Sequence, residues 1–135
     1  MIMSIDSFTD LADFYLARIP GRFLLDPDGE PIPVMVEPNA LRHKSDPPGV
    51  YIMGEYITDT YLPPRIAIYH GSFVKLLRDE PEEVWEDELW ETMLHELRHH
   101  IEEMAGVSDL DLEDLLDLQQ MWQEEEARQQ RRKRR

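Results

Sequence analysis

The segment between Pro81 and Gly106 constrains the fold most, because it reads as one long helix. Pro81 suits the first helical position, and Glu82 and Glu83 place carboxylates in the first turn, where they complement the helix dipole. Gly106 suits the left-handed residue at which helices often end. Trp90, Leu94, Leu97, Ile101 and Met104 recur at helical intervals and predict a buried stripe. At about 100° per residue, His95 and His99 fall nearly opposite that stripe, with Glu88, Thr92 and Glu102 near them. One turn apart on one face, both imidazoles can point at a single metal ion. Glu96 sits beside the first of them, where a carboxylate can take a proton from water. His95-Glu96-Leu97-Arg98-His99 thus matches the pattern H-E-x-x-H. Two readings of this helix face stay open. It is either an ordinary solvated face or the floor of a cleft over which another segment closes.

The residues after Gly106 bear on that choice. Ser108 and Asp111 form an N-cap pair for a further helix, in which Leu112, Leu115, Leu116, Gln119 and Trp122 recur at helical spacing. A helix that begins just after a glycine turn can fold back over the end of the preceding one. Asp109 is then a candidate third metal ligand, and Glu102, three residues after His99, is the alternative. Without cysteine there is no thiolate site, so Zn2+ would be held by histidine and carboxylate.

Upstream, Ser7 with Asp10 reads as a helix start, Leu11, Phe14, Tyr15 and Ile19 as its apolar face, and Pro20-Gly21 as its stop. Pro31 to Glu37 predicts a short strand near a sheet edge, because proline cannot donate to a ladder. Residues 38–49 read as a loop, Val50 to Ile57 as an extended segment broken by Gly54, and Arg65 to Tyr69 as a short alternating strand. Ser72 is expected to cap a short helix through Arg78. His43 reads as solvated beside Arg42 and Lys44, whereas Trp85 and Trp90 read as core.

A length of 135 residues suits one domain, expected over residues 1–126, with a basic, disordered tail at 127–135. The net charge of −15, from 29 acids against 14 bases, argues against nucleic acid as a partner of the folded body. No apolar run reaches membrane-spanning length, so no membrane partner is expected. Asp6, Asp10 and Asp13 lie among the N-terminal apolar residues, which argues against a signal peptide and for a cytoplasmic location.

The succession helix, strand, Tyr51-Ile52-Met53-Gly54-Glu55-Tyr56, Arg65-Ile66-Ala67-Ile68-Tyr69, short helix and His95-Glu96-Leu97-Arg98-His99-His100 resembles the minimal zincin-like metallopeptidases. The likeness runs over roughly residues 8 to 118 and is specific at Tyr69, His95, Glu96, His99 and His100. In that family the pattern H-E-x-x-H-H-x-G-x-x-D continues the helix motif. Here four additional residues precede Gly106, while the interval from Gly106 to Asp109 is kept. The resemblance implies an α+β fold, with a small mixed sheet packed against helices and the histidine pair on the long central helix. It further implies a zinc-dependent peptidase acting on a peptide or protein substrate, with Glu96 as general base. The strand Arg65 to Tyr69, including Ile68, would be the edge to which an extended peptide pairs. Tyr69 or His70 would stabilise the oxyanion, and His100 would pack off the ligand face. Beside this reading stand a non-proteolytic zinc- or peptide-binding module and a helical interaction protein that carries the motif by accident.

Overall fold

The computed structural model describes residues 2–105 and 110–133. Their elements are α1 (Ile5–Leu16), a 3-10 turn (Gly21–Leu24), β1 (Val34–Glu37), β2 (Gly54–Ile57), β3 (Arg65–Tyr69), α2 (His70–Leu77), α3 (Glu82–Met104) and α4 (Leu112–Lys133). The three strands form one mixed sheet in the order β1-β3-β2. The fold is α+β, four helices with a small mixed sheet, as the sequence predicts.

β3 lies in the middle of the sheet. β1 runs parallel to it, with Val34 opposite Ile66 and Glu37 opposite Tyr69. β2 runs antiparallel, with Gly54 opposite Ile68 and Tyr56 opposite Ile66. The expectation that β3 is an edge strand is therefore corrected; the edges are β2 and the proline-flanked β1. Strands of four or five residues carry too little pattern to reveal pairing order. The apolar character of β3 is what a central strand needs, and Ile66, Ala67, Ile68 and Tyr69 are all buried.

The chain groups into two compact units, Met1–Met104 and Ala105–Arg135. α4 continues through Lys133 instead of fraying at 127. Gln, Arg and Lys are good helix formers, and Arg128 pairs with Glu125 one turn back at 2.7 Å. Arg131, Arg132 and Lys133 also sit in the last turn, where cations complement the helix dipole. At the start of α4, the Asp111 carboxylate accepts from the Asp114 N–H at 2.9 Å, so Asp111 caps this helix. Ser108 lies outside the described residues.

Within the first unit the core joins α1, α2 and α3. Phe8 and Phe73 meet edge to face at 4.8 Å, and both rings approach Trp85. The Trp85 indole N–H donates to the Leu77 carbonyl at 2.9 Å, which fixes the start of α3 against the end of α2. Ser4, not Ser7, caps α1: its side chain accepts from the Ser7 N–H at 3.2 Å. Ser72 is not a cap either. It is fully buried within α2, and its hydroxyl accepts from the Leu41 N–H at 3.0 Å, tying the loop after β1 to this helix.

Candidate metal centre

α3 buries more of its circumference than the apolar stripe implies. Trp85, Leu89, Met93, Glu96, His100 and Met104 are all buried, and they form a second stripe at steps of three and four residues. Trp90 and Ile101, counted in the expected stripe, are only half-buried. Two polar residues, Glu96 and His100, therefore lie on a buried face, while His95 and His99 stay exposed.

The two exposed imidazoles converge. Nε2 of His99 lies 3.1 Å from Nε2 of His95, with ring centroids 4.7 Å apart and planes crossing at 88°. Nitrogens that share a tetrahedral zinc ion, each about 2.0–2.1 Å from it, stand about 3.3 Å from one another. The pair thus has the spacing of two ligands to one ion. One ligand atom from each of His95, Glu96 and His99 lies within 4.8 Å of the other two. Two imidazoles and a carboxylate, with no sulfur, make a donor set suited to zinc.

Glu96 is 6% exposed. Burial pushes its carboxyl above the ordinary carboxylate range; His95 and His99 oppose the shift, Glu55 adds to it, and a hydrogen bond from the Tyr56 main-chain N–H opposes it. Strand register explains that last bond. Tyr69 N–H donates to the Met53 carbonyl at 2.9 Å, so the alternation of an antiparallel ladder points the main-chain groups of Gly54 and Tyr56 away from β3, toward the free edge. The Glu96 carboxylate meets β2 at that edge. Gly54 allows the approach: a Cβ there would lie 2.5 Å from Thr92 Cγ2 and 3.3 Å from Glu96 Oε2.

His100 occupies the next turn of the same face and is 1% exposed. Its Nε2 lies 2.8 Å from the Leu25 carbonyl, and its Nδ1 lies 2.8 Å from the Tyr56 hydroxyl. A carbonyl only accepts, so Nε2 carries the hydrogen, and Nδ1 of the neutral ring accepts from Tyr56. Burial lowers the His100 pKa and favours that neutral form. Burial, the charge of Glu103 and a side-chain hydrogen bond to that carboxylate hold the Tyr56 phenol protonated, its pKa well above the usual tyrosine value.

Other residues singled out in the sequence take different places. Ile68 is fully buried in the central strand, and Tyr69, also buried, donates its hydroxyl to Glu55 at 2.8 Å. Burial and Glu55 push the Tyr69 phenol up to about 12. His70 turns away toward the N-terminus, with Nε2 2.8 Å from the Met3 carbonyl and its ring against Phe8; it is not placed to stabilise an oxyanion. Glu102 is exposed on α3 and pairs with Arg98 at 3.7 Å. Asp109 lies outside the described residues. Gly54 and Tyr56 were missed as site residues by sequence reasoning. The signal that could have found them is the glycine inside a strand pattern, which often marks close approach of another segment.

Comparison with known proteins adds to this geometry. A family model described as zincin-like metallopeptidase matches residues 48–120, from the loop before β2 into α4. A solved structure, a conserved hypothetical protein from T. thermophilus, superposes with a TM-score of 0.64 at 33% identity. The match covers 76% of this chain and 98% of that one. Among curated proteins none matches.

Proposed function

The chain belongs to the zincin-like metallopeptidase family, and from that premise we propose that it is a zinc-dependent peptidase in which His95 and His99 hold the ion and Glu96 is the general base. The observation that carries this reading is the convergence of the two Nε2 atoms to 3.1 Å beside a buried carboxylate held by β2. A zinc ion bound there supplies a Lewis acid that polarises a peptide carbonyl and acidifies water. Glu96 takes the proton from the water that adds to the carbonyl carbon and passes it to the nitrogen as the C–N bond breaks. Burial, which raises its pKa, makes it a stronger proton acceptor than an exposed carboxylate. The free edge of β2, where Gly54 presents its main-chain groups next to Glu96, is the strand to which an extended peptide pairs in this proposal. That takes the role first expected of Tyr69 and Ile68.

Asp109 is proposed as the third ligand. It keeps the Gly-to-Asp interval of the resemblance, whereas the alternative, Glu102, is paired with Arg98. A second reading, a metal-binding module that does not cut, has one observation in its favour. The Glu96 carboxylate lies in the same 4.8 Å group as the histidines and could itself complete the ligand set.

Cleavage of a mixed peptide library by the zinc-loaded parent and by Glu96→Gln separates the two. The amide cannot take a proton, so the peptidase reading expects the variant to keep zinc and lose about 100-fold or more of the turnover. An inactive parent, or a Gln variant as active as the parent, would overturn it.

A further inference from the structure

The geometry points to Tyr56 and His100 as positioning residues that clamp β2 to α3 and so hold Glu96 in place. This inference rests on the assignment of Glu96 as general base.

The chain of contacts runs through a single residue of the edge strand. The main-chain N–H of Tyr56 donates to the Glu96 carboxylate, and the hydroxyl of the same tyrosine donates to His100 Nδ1 at 2.8 Å. His100 lies one turn beyond Glu96 on the same buried stripe, and its Nε2–H is anchored on the Leu25 carbonyl at 2.8 Å. Tyr56 is thus held at both ends, by Glu96 through its backbone and, through its hydroxyl, by His100 with Glu103 beside it on α3. The two attachments are one helical turn apart on α3, so together they fix the position of β2 along the helix axis.

Either bond alone would leave that position loose. A single hydrogen bond from a strand of four residues at a sheet edge is easily lost to water, and Glu96 would then swing within its buried site. Gly54 adds no attachment of its own, since it only permits the close approach to Thr92 and Glu96. Both ring nitrogens of His100 are engaged, one by Leu25 and one by Tyr56, which leaves neither for the metal pair. Its effect on the reaction must therefore pass through Tyr56. A displacement of about 1 Å in a reacting group can cost about 100-fold in rate, so a residue that sets this position acts on turnover and not on metal binding.

The test compares Tyr56→Phe, His100→Leu and His100→Gln with the parent. Gln offers a carbonyl for the Tyr56 hydroxyl and an N–H for Leu25, and so serves as the conservative variant. Three quantities are read: zinc content, kcat against KM on the peptide library, and amide hydrogen exchange at position 56 in the metal-free protein. The Tyr69 amide, bonded to Met53 in the same ladder, reports any general loosening. The inference expects full zinc content and a KM within about twofold of the parent. For Tyr56→Phe and His100→Leu it expects kcat to fall by about 10- to 100-fold, with partial recovery in His100→Gln. Exchange at position 56 should quicken about tenfold or more while the Tyr69 amide keeps its rate.

Unchanged exchange at position 56 in folded Tyr56→Phe overturns the clamp, whatever the activity of the parent. Equal acceleration at position 56 and Tyr69 also overturns it, because the effect is then on stability alone. If the parent does not cleave peptides but exchange at position 56 quickens selectively, the clamp stands and the peptidase reading falls.

Discussion

Glu96 shows in a single residue how site and fold conflict. A carboxylate that is 6% exposed is costly to charge, and its pKa in the folded protein is raised above the unfolded value. A carboxyl raised in this way stabilises the fold fully below the unfolded glutamate value of about 4.3, and loses that contribution as pH rises through the folded value. Charging the buried carboxyl therefore costs the metal-free parent stability at pH 7 that the Gln variant keeps, while the Gln carbonyl can still accept from the Tyr56 N–H. Metal-free Glu96→Gln is expected to melt at a higher temperature than the parent at pH 7, with the difference vanishing below about pH 4.3. A Gln variant less stable at pH 7 would show that the carboxylate gains more from its partners than it loses to burial. The third ligand is also decided by single residues. Asp109→Ala is expected to weaken zinc binding about 10-fold or more at fixed pH, and Glu102→Ala to leave it nearly unchanged. The reverse order would assign the ligand to Glu102.

At the scale of elements, α3 was legible and its partner strand only partly so. Pro81 and the two glutamates after it mark the start of the helix, and the i, i+4 histidine pair survives as a contact at 3.1 Å. A count of apolar positions alone could not show that the stripe carrying Glu96 and His100 is buried, because polar residues break it. For β2, glycine reads as a weakness in a strand when it is in fact a requirement of packing. Gly54→Ala tests this. Its methyl would collide with Thr92 and crowd Glu96 and Ile68, so a loss of about 1–3 kcal/mol is expected in chemical denaturation. A substitution that leaves stability and turnover intact would mean that the helix yields easily at Thr92. Strand order was not legible at all. It depends on which backbone finds which partner, and three short strands of similar composition leave that open.

For the whole molecule, the fold class came through the family resemblance carried by the order of the elements and the histidine motif. The composition around Ala105, where the two units meet in sequence, is that of an ordinary helix end. Among the described residues no helix is long and apolar enough to cross a membrane. Burial of Trp85, Phe8, Phe73, Leu89 and Leu97 stabilises the first unit, and the histidine pair lies outside that core. Removing either imidazole should therefore leave the fold intact and abolish the site. Elemental analysis of protein purified without added metal measures this directly. One zinc per chain is expected in the parent and almost none in folded His95→Ala/His99→Ala; a double variant that retains its full zinc content would contradict the assignment of the metal centre.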